Sequence, residues 1–162
     1  MRASVFVTLC VSTLAWAGSA TNFSPRPLAR TPNCPPRPAT PKQQRVLLEQ
    51  FIQTFFEERN ATKALLNHVA EDYIQHNPNA LSGRQNALDF VVPIISSDAV
   101  DFTIMHKAFD GGLAYVHYRM DVVGREPAAV VDVFRFNGTC IVEHWDVGQE
   151  RDPGSINPLA LF

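Results

Sequence analysis

Residues Ala128–Gln149, AAVVDVFRFNGTCIVEHWDVGQ, constrain this chain more than any other stretch. Two runs rich in β-branched and aromatic residues flank Asn137-Gly138, the strongest short-range signal for a β-hairpin. Asp132, Glu143, His144 and Asp146 lie inside those runs. Charged groups in strands of such apolarity need partners or a chemical role. Which of them share a face depends on the turn. A two-residue loop of Asn137 and Gly138 sets Asp132 opposite Glu143. A three-residue loop ending at Thr139 sets Asp132 opposite His144, with Asp146 two residues further along the same side. A slip of one residue turns every side chain over. The longer loop is the expectation, because it groups Val130, Asp132, Phe134, Val142, His144 and Asp146 on a face that is apolar with three convergent polar groups, as in a small-molecule pocket. Val131, Val133, Ile141, Glu143 and Trp145 then share the other face. The plain alternative is a solvated face on which Asp132 and His144 merely pair across strands.

The 162 residues suffice for one domain with a buried core. A formal charge of −2, with no basic run and no interleaving of basic and aromatic residues, argues against a nucleic-acid partner. Residues 1–20 read as a secretory signal peptide: Arg2, the apolar run Val5–Ala15, and small-x-small cleavage sites at Ala15-Trp16-Ala17 or Gly18-Ser19-Ala20. An uncleaved anchor is the alternative. No later stretch has the ~20 apolar residues of a membrane-spanning helix, so no membrane partner is expected after cleavage. Cys10 leaves with the signal, and Cys34 and Cys140 remain as an even pair, expected to bond to each other in an oxidising compartment. Sequons at Asn22, Asn60 and Asn137 fit the same extracellular address as candidate glycosylation sites.

Prolines crowd residues 21–40, which read as an extended arm anchored at Cys34. Thr40, Pro41 and Gln43 form the signature of a helix start with a capping box. Leu48, Phe51, Ile52, Phe55 and Phe56 follow at helical spacing as a core face, and Asn60 ends the helix. A second helix, Thr62–Val69, buries Ala64, Leu65 and Val69. The segment Glu71–Pro78 is stopped by Pro78, with His76 at a helix end. A third helix is capped by Ser82 and runs to about Ile95, kinked by Pro93. After Asp98 the period becomes two, and strands read as Val100–Phe109, Leu113–Val123, Ala128–Phe136 and Thr139–Val147. Helices followed by an antiparallel meander predict an α+β fold with the helices on one face of the sheet, in a single domain over residues 41–162. Leu159, Leu161 and Phe162 of the tail are placed to cover a cavity mouth.

Taken together, Tyr73-Ile-Gln-His-Asn-Pro78, Gly83-Arg84, Ala114-Tyr-Val-His117, Val131-Asp-Val-Phe-Arg135, Ile141-Val-Glu-His-Trp-Asp-Val147 and Gln149 resemble the SnoaL-like polyketide cyclase group, within the nuclear-transport-factor-like and ketosteroid-isomerase-like superfamily. The resemblance spans Tyr73–Gln149. It implies a cone, a strongly curved antiparallel sheet wrapped around three N-terminal helices (an α+β barrel), with a deep apolar pocket and homodimers formed through the outer sheet face. It implies ring-closing aldol cyclases, isomerases, dehydratases or hydrolases as relatives. In the cyclases an aspartate on the last strand is the acid/base and a histidine lies on the strand before it. Asp146 matches that aspartate; Asp132 stands where the histidine would be, with His144 and His117 nearby.

Aldol closure and double-bond isomerisation both remove a proton next to a carbonyl and return it. A carboxylate in an apolar pocket suits this, since burial lifts its pKa toward the working pH, and the enolate formed needs donors aimed at its oxygen. Asp146 is the first candidate base. Asp132 is the second, or the partner that orients His144. His144, His117 or His76 would supply donors, and Tyr73 and Trp145 complete a candidate substrate-binding set. Each has a structural alternative: a solvent-facing strand end for Asp146, a buried pair for Asp132, a satisfied core histidine for His117, a helix-end cation for His76, and packing for the two aromatics. The histidines and aspartates lack H-x-H or HExxH spacing, so neither metal nor cofactor is expected. No G-x-S-x-G is present for nucleophilic hydrolysis. The sequence therefore predicts a cofactor-independent lyase, cyclase or isomerase acting on a small hydrophobic carbonyl-bearing or polycyclic substrate, with a secreted non-catalytic binding protein, or a dimeric scaffold whose cone is plugged, as the rivals.

Overall fold

The structure, a computed structural model, describes residues 32–162. The expected signal peptide over residues 1–20, the Asn22 sequon and the first part of the arm lie outside the described residues.

Helix α1 spans Pro41–Ile52, opened by the expected capping box: the Thr40 side chain accepts from the Gln43 N–H and the Gln43 side chain from the Thr40 N–H. It runs into a π-helical turn at Gln53–Glu57. Leu48, Phe51, Ile52, Phe55 and Phe56 are all buried, as their spacing predicts. Arg59 turns the chain at φ 53°, and Asn60 caps α2, Ala61–His68, by accepting from the Lys63 N–H. Helix α3 covers Arg84–Ile95, with Pro93 inside it. Its cap position is held by Gly83 at φ 100°, without a side-chain cap. Ser82, the expected cap, instead accepts the Gln75 N–H at 3.1 Å.

Five strands form one open sheet: β1 Val69–Gln75, β2 Val100–Asp110, β3 Leu113–Val122, β4 Ala128–Asn137 and β5 Cys140–Glu150, in the order β1-β5-β4-β3-β2. Strands β2 to β5 are the expected antiparallel meander. Strand β1 corrects the sequence reading, since the segment before His76 is extended rather than helical and runs parallel to β5. The pairs Val69↔Ile141 and Ile74↔Glu143 show why: five steps along β1 match two along β5. That irregularity leaves Glu71 and Asp72 consecutively exposed and erases the alternation by which a strand is recognised. The three helices pack on the concave face of the sheet, and the core lies between the two layers.

The hairpin register differs from both loops considered above. Asn137 pairs with Cys140 across Gly138 and Thr139. Phe136 faces Ile141, but Arg135 faces Glu143, so Val142 is the extra residue of a β-bulge. The turn alone would oppose Asp132 to Trp145. The bulge restores parity and opposes Asp132 to Asp146 and Phe134 to His144. The expected grouping of Val130, Asp132, Phe134, His144 and Asp146 survives, while Ile141 moves to the core, fully buried, and Val142 becomes the half-buried bulge.

Cys34 and Cys140 are disulfide-bonded, tying the arm to the start of β5. The arm also pairs with the hairpin tip: the Thr139 N–H donates to Arg37 O at 2.9 Å and the Arg37 N–H to Thr139 Oγ1 at 3.2 Å. Gly138 sits beneath this contact at φ 53°, and a Cβ there would lie 1.9 Å from Arg37 O. Gly138→Ala is therefore expected to destabilise the protein by roughly 2–4 kcal/mol, left-handed strain adding to overpacking. Urea unfolding checks this; a midpoint equal to that of the parent would show that the arm yields freely.

Candidate active site

A cavity of about 440 Å³ opens between helices and sheet. Phe51, Phe55 and Leu65 line it from α1, the π turn and α2, and Ala87, Phe90, Val91, Ile94 and Ile95 from α3. The sheet contributes Phe102, Tyr118, Met120, Val130, Asp132, Phe134, His144, Asp146 and Gly148. Strand β1 and the loop after it add Val69, Tyr73, Gln75, Asn77, Pro78 and Asn79. Apart from a few polar groups the wall is aliphatic and aromatic, the composition of a small-molecule site.

Those polar groups gather where β1, β4 and β5 meet. His144 Nε2 lies 3.3 Å from Asp132 Oδ1, and both side chains are about nine-tenths buried. That nitrogen is in ion-pair range yet, among the described residues, not aligned for a hydrogen bond to any atom. His144 Nδ1 is 2.9 Å from Gln75 Oε1. Asp146 Oδ2 accepts from Asn77 Nδ2 at 2.6 Å. Tyr73 OH accepts from Gln75 Nε2 at 3.3 Å. The imidazole packs between two rings, 4.8 Å from Phe134 and 6.5 Å from Tyr73.

Burial dominates the electrostatics. It pushes the Asp132 carboxyl above its ordinary range; His144 and the Tyr118 hydroxyl pull it back in part, and the neighbouring Asp146 adds to the rise. Tyr73 and Tyr118 are raised by burial and then by the charges of Asp132 and Asp146. Their hydroxyls keep their protons at neutral pH and remain donors. Among the described residues, no Lys or Arg lines the cavity.

Asp132, His144, Asp146 and Tyr73, four of the residues singled out from sequence, thus come together. His76, His117 and Trp145 do not line the cavity. His117 and Trp145 alternate with the inward-facing Val116, Tyr118, His144 and Asp146, so they project to the other side of the sheet. His117 Nδ1 meets His106 Nδ1 at 3.1 Å. His76 stacks on Trp145 at 4.8 Å and contacts Glu143 at 2.8 Å. His76 and then Arg135 hold the Glu143 carboxyl below its ordinary range. The tail does not reach the cavity either: the Phe162 ring rests on the Arg119 guanidinium, 4.8 Å away.

Sequence reasoning passed over Gln75, Asn77 and Tyr118. Tyr118 was recoverable, because Ala114, Val116, Tyr118 and Met120 form the less polar parity of β3 against Tyr115, His117, Arg119 and Asp121. Gln75 and Asn77 were not, since their role depends on β1 lying beside β5. Among the described residues, Asp132, His144 and Asp146 are also the group whose donor atoms could share an ion, lying within 4.8 Å of one another. Asp146 Oδ2 is already engaged by Asn77 and His144 Nε2 faces Asp132.

A family model described as the SnoaL-like domain matches residues 48–144. Among solved structures, an NTF2-like protein from Mesorhizobium loti superposes with a TM-score of 0.60 at 18% identity, over 70% of this chain and 97% of that one. A putative ketosteroid isomerase from Kribbella flavida gives 0.58 at 18% identity, over 75% and 88%. A putative polyketide cyclase from Acidithiobacillus ferrooxidans gives 0.53 at 17%, over 66% and 88%. Likenesses at such identities speak for the architecture alone. A comparison with curated proteins finds no match. The family model spans more than half of the chain and contains both halves of the Asp132–His144 pair, and the α+β cone is that of its structural neighbours: this chain belongs to the SnoaL-like domain family.

Proposed function

We propose that the protein is an acid/base catalyst of the cyclase, isomerase or lyase type, acting on a small, uncharged, carbonyl-bearing or polycyclic polyketide-like substrate. One observation carries this reading: Asp132, His144 and Asp146 converge in a cavity whose wall is mostly aliphatic and aromatic. Asp146, oriented by Asn77, takes the proton from the carbon next to the carbonyl. The C–H electron pair becomes the enolate, and its oxygen is met by the proton that the Asp132 carboxyl carries and by the Tyr118 hydroxyl. The enolate then collects a proton at another carbon, giving isomerisation, or attacks a second carbonyl, giving ring closure. With two acidic side chains and, among the described residues, no Lys or Arg around the cavity, anionic substrates are disfavoured.

The test is deuterium uptake from heavy water, followed by NMR, into a panel of cyclic enones and 1,3-diketones. Asp146→Asn is expected to slow exchange by about 10²–10⁴-fold. Equal exchange in that variant removes Asp146 as the base. Tight binding of the panel with no exchange by the parent protein would make it a carrier.

The same proposal places the mature protein outside the cell, without residues 1–20, where the Cys34–Cys140 bond would persist. Asn60 and Asn137 are exposed, as glycan acceptors must be. It includes self-association through the outer sheet face, where Tyr115, Val131 and Val147 are exposed. Intact mass and light scattering on protein secreted from a eukaryotic host check these points.

A further inference from the structure

We propose that Gln75 is a positioning residue that fixes the His144 tautomer, placing a proton on Nδ1 and leaving Nε2 as the atom that exchanges protons with Asp132. This rests on the acid/base reading above for its consequence, but its geometry stands independently.

Two backbone N–H groups in the loop after β1 orient the amides of Asn77 and Gln75. The Asn79 N–H donates to one atom of the Asn77 amide at 2.8 Å, and only an oxygen can accept there, so this atom is Oδ1. The other atom, Nδ2, is then the one that reaches Asp146 at 2.6 Å, and it donates. The Asn77 N–H in turn donates at 3.0 Å to one atom of the Gln75 amide, which must be Oε1. Gln75 Nε2 is left to donate to Tyr73 OH. With both amides oriented by backbone donors, no freedom remains at the imidazole. Oε1 has no hydrogen, so the 2.9 Å contact with His144 Nδ1 requires Nδ1 to be the donor.

A neutral ring therefore turns its lone pair, on Nε2, toward Asp132 Oδ1 at 3.3 Å, and the proton the two groups exchange then rests on the buried Asp132 carboxyl. The opposite tautomer would set two lone pairs against each other at Gln75. Among the described residues Nε2 has no aligned hydrogen-bond partner, which suits an acceptor free to take up and return a proton rather than one locked into structure. The arrangement exists because Gln75 is paired with His144 in the parallel β1–β5 register, which brings amide and imidazole side by side.

The test is NMR of protein labelled with ¹⁵N-histidine, at a pH where His144 is neutral. The parent is expected to show the protonated, pyrrole-type nitrogen at Nδ1. Gln75→Leu is expected to move that proton to Nε2 and to slow deuterium exchange into substrate by about 10²-fold. Gln75→Glu, which keeps an acceptor at the same place, is expected to restore the Nδ1–H form. A proton on Nε2 in the parent, or an unmoved proton in Gln75→Leu, overturns the proposal. Should Gln75→Leu fail to fold, the parent spectrum alone decides. These spectra need no substrate, so a protein without turnover but with Nδ1–H would retain the positioning role and lose only the reaction.

Discussion

Asp132→Asn is expected to slow proton transfer by about 10²–10⁴-fold while unfolding no more easily than the parent at neutral pH. The two effects share a cause. Asp132 is buried, and burial raises its pKa in the folded protein above the value of about 3.9 that it has in the unfolded chain. The folded state therefore holds that proton the more tightly. The stabilisation this provides is complete below about pH 4 and is lost as pH rises through the folded-state pKa. Asparagine is nearly isosteric and does not titrate, so it escapes the loss. Thermal unfolding across pH 4 to 8 is the measurement, and the variant should gain on the parent as pH rises. A difference that stays constant over that range would mean that burial costs the carboxylate nothing. Unaltered turnover would remove Asp132 from the chemistry altogether.

Removing the disulfide should have the largest effect on stability. The bond joins residues 106 apart in sequence, and in the chain-entropy model a loop of about that size constrains the unfolded state by roughly 4–5 kcal/mol. The double variant Cys34→Ser, Cys140→Ser is expected to lose an amount of that order, read from urea unfolding with and without a reductant. Reductant should move the parent midpoint toward that of the variant and leave the variant unchanged. The arm would keep its hydrogen bonds to Thr139 and lose its covalent tie to β5. Cys140 is fully buried, so part of the cost is the hydroxyl placed in an apolar site. Separate single variants distinguish this from the loss of the crosslink. If the double variant unfolds at the parent's midpoint, the crosslink contributes nothing to stability.

Much of the architecture was legible because it rests on local rules. The capping box at Thr40, the helical spacing from Leu48 to Phe56 and the period of two after Asp98 are properties of a few neighbouring residues, and each element appears where they put it. The Cys34–Cys140 pair followed from counting. The cluster of Asp132, His144 and Asp146 was legible as well, but through a register that the structure corrects: the turn closes on Gly138 and Thr139, and Val142 bulges. Parity was recovered by two irregularities that offset each other, neither of which composition reveals.

What the chain alone determined, then, is which residues could be apolar neighbours, where the backbone had to turn and which titratable groups stood among hydrophobic ones, because propensity, capping and alternation act over a handful of positions. What the tertiary structure decided is which of those groups meet. Strand β1 lies parallel to β5 across some 70 residues of sequence, and that contact delivers Gln75 to His144 and Asn77 to Asp146. The same pairing leaves His76 against Trp145 outside the cavity. Contacts between distant segments depend on how whole layers pack, and no local pattern in Glu71–Pro78 encodes the partner it will find.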